Sequence, residues 1–327
     1  MKKNILFFTE ASTKIGYGHL SRCLSLSDFL KSKYKIFFIS EENIQRFLPK
    51  SIKMINFDNH KNFSFKTVII DLKNLNKNNF DKIKKFKIKN KIIISDHINS
   101  KLKSSLTIIP YLKIIKADRG QKVINGLDAL ILSKKLISLA KKKRSIKKKL
   151  NYSIITICFG GSDPKNYTYK IVNDIIKLNL NLNIKFKIII GSLYNKESEK
   201  KLKDLTYNFK NFEIYRNPKN LYKIFNQSNL ALINSGNIKY EFASLGVPFF
   251  LFANDKKSKV FCRIFKNYFK FFYYKDFNFP RKKYLKNLLC NLSRKEKKLN
   301  FYAKFNKKRI NLNSIHNVVK HINNTII

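Results

Sequence analysis

The sequence of 327 residues contains no tryptophan and only nine glycines, six prolines and four cysteines. The cysteines, Cys23, Cys158, Cys262 and Cys290, are widely scattered, and no two of them form a CxxC pair. Nothing in the chain therefore has the ligand spacing of a zinc site. We expect reduced thiols, as in a cytoplasm.

Long apolar runs are also missing. A membrane-spanning helix needs about 20 consecutive apolar residues, and the chain has no such stretch. The first apolar run, Ile5–Phe8, is followed by the polar residues Thr9 and Glu10, so it is too short for a signal peptide. We expect a soluble, cytoplasmic protein without a membrane span.

Acidic residues are scarce, because 20 Asp and Glu stand against 69 Lys and Arg, which gives a formal net charge of +49. The lysines run through almost every segment. Such an even excess favours a solvated basic surface over a nucleic-acid or anionic-membrane site, which would concentrate charge on one face. Binding of an acidic partner is the alternative, and a basic cleft would suit a phosphate-bearing ligand.

The length favours two α/β domains of about 150 residues each. In the first half, short apolar runs closed by polar residues, glycine or proline predict buried parallel strands. Leu20, Cys23, Leu24 and Leu30 recur at helical spacing and predict an amphipathic helix over His19–Lys31. The predicted strands are Ile5–Phe8, Ile36–Ile39, Val68–Ile70, Ile92–Ile94 and Leu106–Ile109.

A basic run from Lys141 to Lys149 interrupts this pattern. We interpret it as a solvated connection, with a nuclear-localisation or RNA-binding segment as the alternative. Strands and helices then alternate again, which predicts a second parallel sheet. We expect domains at 1–145 and 150–290, followed by a basic helical segment at 291–327. The predicted elements of the second half are strands at Ser153–Phe159, Phe186–Ile190, Leu230–Ile233 and Val247–Phe252, and helices at Tyr169–Leu178, Glu197–Leu205 and Lys239–Leu245.

Ligands of open parallel sheets bind beyond the carboxyl ends of strands, and the first such turn carries Gly16, Tyr17, Gly18 and His19. Glycines let the backbone approach a ligand closely, and a helix N-terminus offers free N–H groups to phosphate. A histidine at the start of a helix can take a proton from water near neutral pH, and its structural alternative is a core histidine. Arg22, one turn further on, either pairs with phosphate or faces solvent.

The second turn follows the first strand of the second half. It contains Gly160, Gly161, Ser162 and Asp163. These residues combine into a backbone-rich anion or ribose site, or the serine and the aspartate cap the next helix instead.

The third turn comprises Ser235, Gly236 and Asn237, and Glu241 lies one helical turn beyond it. A carboxylate at that place could accept both hydroxyls of a ribose. Its alternative is a solvated acid that stabilises the N-terminal half of a helix.

Asp71 and Asp96 each follow a predicted strand. They either line the ligand cleft or cap helices. His97 comes next to Asp96, but no third metal ligand accompanies them at a recognisable spacing.

The three turns together, and in this order, resemble the PseG family, the UDP-2,4-diacetamido-2,4,6-trideoxy-β-L-altropyranose hydrolases of pseudaminic acid biosynthesis, and the related SpsG proteins. The runs that carry the resemblance are GYGHLSRCLSL at 16–26, FGGSDP at 159–164 and SGNIKYEFASLGVP at 235–248. By the same resemblance Asn254 joins the substrate-binding residues, although Asp255 follows it where the family carries glutamine.

The resemblance implies a GT-B architecture, in which two Rossmann-like domains face each other across a cleft, as in the MurG-type glycosyltransferases but with water as the acceptor. It implies that His19 is the catalytic residue. It also implies that the loops around Gly161, Ser235, Gly236 and Glu241 hold UDP, and that neither a metal nor a cofactor is required.

The resulting hypothesis is hydrolysis of a UDP-linked diacetamido-trideoxy sugar at its anomeric carbon by a monomer, with His19 as general base on a water. N–H groups at loop glycines and helix starts would meet the charge on the leaving phosphate. One alternative is a MurG-like glycosyltransferase that uses the same donor. A second is a non-catalytic protein that binds RNA or another anion, which rests on the net charge of +49.

Overall fold

The computed structural model describes residues 2–58, 64–97, 102–112, 120–142, 144, 153–180, 183–253, 255–274, 281–292 and 294–326. The chain divides into two compact units. Met1–Lys134 and Asn311–Ile327 form the first unit, and Lys135–Ile310 form the second.

The first unit is built on a seven-stranded parallel sheet with the strand order β3-β2-β1-β4-β5-β6-β7. Its strands are β1 (Asn4–Thr9), β2 (Lys35–Ile39), β3 (Lys53–Met54), β4 (Thr67–Asp71), β5 (Asn90–Ile94), β6 (Leu106–Ile109) and β7 (Val123–Asn125). The chain has helices at α1 (Gly18–Leu30), α2 (Lys77–Lys84) and α3 (Lys134–Lys141), with short 3-10 helices at Gln45–Phe47 and Gly126–Ala129.

The second unit is built on a six-stranded parallel sheet with the strand order β10-β9-β8-β11-β12-β13. Its strands are β8 (Ser153–Cys158), β9 (Ile184–Ile190), β10 (Phe212–Arg216), β11 (Leu230–Asn234), β12 (Phe249–Phe252) and β13 (Phe272–Tyr274). The later helices are α4 (Tyr167–Ile176), α5 (Lys196–Thr206), α6 (Leu221–Asn226), α7 (Ile238–Leu245), α8 (Lys256–Tyr268), α9 (Arg281–Cys290), α10 (Glu296–Arg309) and α11 (Ser314–Ile326).

The central strands of both sheets are buried along nearly their whole length. Every residue of β4 is buried, and β1, β8 and β11 each have only one residue that is partly exposed. Strands covered on both faces are continuous apolar runs rather than alternating ones. This burial explains why short runs of Ile, Leu, Val and Phe identified the strands.

Helices pack on these sheets through buried apolar residues. Helix α11, for example, buries Ile315, Val318 and Ile322, which recur at helical spacing. In the part of the chain that the structure describes, no helix combines the length and the apolar character needed to cross a membrane.

The two parallel α/β sheets confirm the predicted fold class, and each predicted strand overlaps an observed one. The elements that the sequence did not indicate are the short strands β3 and β7 and the helix α2, among others. In α2 only Ile83 is buried, so a run of Lys and Asn carries almost no apolar pattern.

The units and the expected domains differ in two places. The first unit ends at Lys134 rather than near residue 145, and the last helix belongs to the first unit rather than to a separate tail. Ser314 and Asn317 tie that helix to the first unit, because their side chains donate to the backbone oxygens of Leu130 and Asp128.

Arg144 lies within the basic run that the sequence analysis interpreted as a solvated connection. Its guanidinium donates to three backbone oxygens of the second unit, those of Asn226, Ser228 and Gly246. Burial lowers the pKa of Arg144 to about 10. This arginine therefore closes the ends of two helices, α6 and α7, and is not a solvated charge.

We predict that Arg144→Met lowers the free energy of unfolding by about 2–3 kcal/mol, because buried carbonyl groups that lose their donor are costly. Chemical denaturation followed by circular dichroism would measure this loss. Lys142→Met is the matched control, because the side chain of Lys142 is exposed. Equal stability of the two variants would contradict the structural role of Arg144.

Candidate active site

The first turn lies at the switch point of the first sheet. At this point the connections that follow two neighbouring strands run in opposite directions along the sheet. The strands are β1 and β4, and Thr9 pairs with Asp71 at their carboxyl ends. Open parallel sheets bind ligands at this position. Because α1 begins at Gly18, His19 and Arg22 lie in its first turns, beside the last residue of β4.

His19 and Asp71 form a hydrogen-bonded pair, with 2.6 Å between His19 Nδ1 and Asp71 Oδ1. The Asp71 side chain is fully buried, whereas that of His19 is 20% exposed. An ionised carboxylate can only accept hydrogen bonds, and a guanidinium can only donate them. Nδ1 therefore carries the proton that it donates to Asp71, and in the neutral ring Nε2 is the nitrogen with a free lone pair.

Arg22 holds the same carboxylate from a second direction. Its Nε donates to Asp71 Oδ2 at 2.9 Å, and its Nη2 donates to Asp71 Oδ1 at 2.7 Å. Its Nη1 donates to the Tyr111 hydroxyl at 2.5 Å. The sequence offered phosphate or solvent as partners of this guanidinium, and the structure gives it Asp71 and Tyr111 instead.

The pKa of Asp71 lies below its ordinary value. Burial by itself would raise that pKa, but the charges of Arg22 and His19 and their hydrogen bonds outweigh it. Asp71 is therefore ionised at neutral pH and keeps the imidazole of His19 in one tautomer and one orientation.

The two glycines of the first turn have different roles. The Gly16 N–H donates to the oxygen of Ser12 at 2.7 Å, and Gly16 has a φ of 97°, which other residues adopt only with strain. Gly18 lacks such a φ, and a Cβ added to it would meet nothing within 4 Å. Tyr17, between them, places its ring edge-on against Phe47, with 5.6 Å between ring centroids.

Asp96 ends up beside its neighbour in sequence. Its Oδ1 lies 2.6 Å from His97 Nδ1, in the turn that follows β5. Among the described residues no group of three or more His, Cys, Asp or Glu side chains is placed to hold a metal ion.

The second and third turns meet at the switch point of the second sheet. Strands β8 and β11 are neighbours there, as β1 and β4 are in the first sheet. The Asn234 Nδ2 donates to the oxygen of Phe159 at 2.7 Å, and the Gly236 N–H donates to Asn234 Oδ1 at 3.1 Å. One amide side chain thus links the ends of both strands, a role that the sequence analysis did not assign to it.

The glycine turn after β8 lies against a further glycine. A Cβ added at Gly191 would overlap the backbone of Gly161, lying 2.7 Å from its carbonyl carbon, and the Leu193 N–H donates to the oxygen of Gly161 at 3.2 Å. Gly160 has a φ of 100°, and a Cβ there would lie 3.3 Å from Asn234 Nδ2. The close approach of two turns therefore requires these glycines.

Asp163 caps the helix that follows this turn. Its two carboxylate oxygens accept from the N–H groups of Tyr167 and Thr168, at 3.0 and 2.7 Å. Burial raises the pKa of Asp163, and these hydrogen bonds work against that rise. Of the two interpretations of this residue, helix capping matches the geometry. Ser162, next to it, is also buried.

Lys239 is buried beneath the third turn, although the sequence analysis gave it no role. Its Nζ donates to the oxygens of Ser235 and Gly236, at 2.7 and 3.1 Å. Burial lowers the pKa of Lys239 to about 8. A lysine in a helical pattern counts as polar, so only the fold reveals that this one lies inside.

Glu241 is half-buried in the first turn of α7, two residues beyond Lys239. Burial raises the pKa of Glu241 to about 7, and a hydrogen bond from Tyr222 opposes part of that rise. The carboxyl group is thus poised between its charged and neutral forms near neutral pH, unlike a solvated acid. Asn237 precedes this helix, and Asn254 lies outside the described residues.

The comparisons with known proteins bear on the fold. No family model matches the chain. The uncharacterized protein MJ1062 of Methanocaldococcus jannaschii is 25% identical over 269 residues, which cover 75% of this chain and 54% of that protein. The chain therefore spans about half the length of the curated relative that it matches.

Solved structures match nearly the whole chain. MurG of Acinetobacter baumannii matches with a TM-score of 0.66 at 11% identity, over 99% of this chain and 100% of that one. Alr3699/HepE of Anabaena, solved with UDP-glucose, also matches with a TM-score of 0.66 at 11% identity, over 98% and 99%. A glycosyltransferase of Rickettsia africae matches with a TM-score of 0.61 at 12% identity, over 99% and 98%.

The chain has the GT-B fold. This finding confirms the predicted fold class, with two parallel-sheet α/β domains of seven and six strands. The structure brings together His19, Arg22 and Asp71 in the first sheet. In the second sheet it brings together the glycine turn after β8 and the turn after β11.

We predict that Gly191→Ala disturbs the glycine turn, because its Cβ would overlap the backbone of Gly161. Overpacking of this kind costs about 1–3 kcal/mol of unfolding free energy. Gly18→Ala is the control, since a Cβ there meets nothing within 4 Å. Denaturant unfolding of both variants is the measurement, and an undiminished stability of Gly191→Ala would contradict the close approach.

Proposed function

We propose that the protein is an enzyme that transfers a glycosyl group from a UDP-sugar to an acceptor hydroxyl, with His19 as general base. The observation that carries the proposal is the His19–Asp71 pair at the switch point of the first sheet, with 2.6 Å between Nδ1 and Oδ1. The GT-B fold supports it, and so does HepE of Anabaena, which shares the fold and was solved with UDP-glucose.

The chemistry follows from the tautomer of the histidine. The acceptor hydroxyl gives its proton to His19 Nε2, and its oxygen attacks the anomeric carbon of the sugar. The bond between that carbon and the UDP oxygen breaks, and UDP leaves with the electron pair. Asp71 stabilises the imidazolium that forms, as a buried carboxylate beside a catalytic histidine does.

The second unit would hold the nucleotide. The turns after β8 and β11 lie side by side at its switch point, and backbone N–H groups at such turns can bind phosphate. Glu241 would accept hydrogen bonds from the ribose hydroxyls. Asp163 has a smaller part in this proposal, because its carboxylate oxygens already accept from two N–H groups.

A second candidate is hydrolysis, in which water takes the place of the acceptor hydroxyl. It is favoured by the run GYGHLSRCLSL at 16–26, which resembles the UDP-sugar hydrolases of pseudaminic acid biosynthesis. Water and a sugar hydroxyl both lose one proton to the base, so the same residues would serve either reaction.

We predict that His19→Gln lowers kcat by about 10²–10⁴-fold, the usual contribution of a general base. UDP affinity should stay within a few-fold, because the base is not part of the nucleotide site. The readouts are UDP release and UDP calorimetry. His321→Gln is the control, since His321 is exposed on α11. Turnover by His19→Gln at the rate of the parent protein would remove His19 from the mechanism.

The acceptor separates the two candidates. For a transferase, UDP release from UDP-glucose or UDP-N-acetylglucosamine should rise by about tenfold or more when sugar and lipid acceptors are added, because water competes poorly with a bound acceptor. For a hydrolase, the rate without acceptor should equal the rate with it. If neither these donors nor a UDP-linked diacetamido-trideoxy sugar is turned over, with or without acceptor, both candidates are wrong.

A further inference from the structure

Among the residues that the structure describes, no carboxylate forms an ion pair with Lys239. The residue is 2% exposed, and the ammonium group is held by the oxygens of Ser235 and Gly236. The rings of Tyr240 and Phe265 lie 4.7 and 5.4 Å from Nζ, measured to the ring centroids. Among the described residues Lys239 forms no salt bridge, and burial has the largest effect on its pKa.

Such an arrangement is unusual, because a buried ammonium group is normally paired with a carboxylate. Carbonyl dipoles and aromatic faces stabilise the charge here without cancelling it. The positive potential of Lys239 therefore extends into the turn that lies directly above it.

That turn is also the start of helix α7. The first N–H groups of a helix have no partner within it, and the helix dipole places about half a positive charge at this end. The Gly236 N–H already donates to Asn234. The backbone N–H groups of the next two residues, Asn237 and Ile238, lie at the start of the helix. The start of α7 and the buried ammonium group of Lys239 thus both favour an anion at this turn.

We propose that Lys239 is the residue that gives the turn after β11 its affinity for the diphosphate of the nucleotide, acting from beneath the turn rather than by contact. The proposal rests on the proposed function and names the chemical group that the turn binds. Lys239 is a positioning residue in this account. Its ammonium group fixes two carbonyl groups of the turn and adds positive potential there.

The protonation state of Lys239 gives a measurable pH dependence that a purely structural role would not produce. Burial lowers the pKa of Lys239 to about 8, so the charge is present below that pH and is lost above it. Cys262 and Tyr273, which lie near it on α8 and β13, have pKa values raised to about 11 and about 12 by burial and stay neutral over this range. Glu241, on the same helix, titrates near 7 and is present in every variant.

The test measures the affinity of the full chain for UDP and for uridine by calorimetry, near pH 7 and near pH 9.5. Lys239→Met removes the charge with little change in length, and Lys223→Met removes a charge from an exposed position of the same unit. At the lower pH, Lys239→Met should weaken UDP binding about tenfold, the scale expected for a charge pair at partly screened distance. Uridine binding and the Lys223→Met variant should stay within about twofold of the parent protein.

The pH comparison completes the test. UDP binding by the parent protein should approach that of Lys239→Met at the higher pH, where the lysine is neutral. An equal loss of UDP and uridine affinity at both pH values would show a structural role and overturn the proposal. Unchanged UDP affinity in Lys239→Met would overturn it alone, whereas a parent protein that binds no UDP would overturn the proposed function as well.

Discussion

Asp71 ends strand β4 with a carboxylate that has no contact with solvent, and the first unit is arranged around that charge. Burying an unpaired carboxylate costs several kcal/mol, and removing one partner of a buried pair costs about 3–5 kcal/mol. Arg22, on α1, supplies the opposite charge and donates two hydrogen bonds to this carboxylate. The same ion pair fixes α1 against β4, so the orientation of His19 is a consequence of the charge balance of Asp71.

Acids are rare in this chain, with 20 Asp and Glu against 69 Lys and Arg, and several of them lie at the switch points. Their environments differ in a way that separates their roles. Asp71, beside Arg22, has a lowered pKa, whereas Glu241 has a hydroxyl rather than a cation as its partner, and its pKa rises to about 7. Asp163 has backbone N–H groups as partners and stabilises a helix start. The partner, more than the burial, decides what each acid can do.

Sequence reasoning could reach the strands and the turns, but not the contacts between them. The runs of β-branched residues predicted β1 and β4, and residue chemistry indicated His19. Arg22 and Asp71 are 49 residues apart, and they meet only because Thr9 pairs with Asp71 in the parallel register. No local pattern contains that register, so the partner of Arg22 stayed open until the fold was known.

In the second unit, too, the sequence does not reveal contacts between elements, because the residue type alone can suggest the wrong environment for a side chain. Lys239 counts as polar in a helical pattern, yet the crossing of α7 with its neighbours buries it. Gly191 is a single glycine after a strand, and its close approach to Gly161 depends on the pairing of β8 with β9. The sequence leaves two alternatives for Asp163, and in the structure its carboxylate oxygens accept from two N–H groups at a helix start.

The choice between a hydroxyl and water as acceptor must be made by residues other than the base. Under the proposed function His19 and Asp71 would remove a proton from either, and the turns after β8 and β11 would contact only the donor. Under the proposed function, acceptor choice therefore falls to the first unit, to residues near the carboxyl ends of its strands. The turns after β5 and β6, with Asp96, His97 and Tyr111, are among the described segments there that carry polar side chains. A change of acceptor would then require changes in such turns, and a change at Tyr111 would also alter the hydrogen bonding of Arg22.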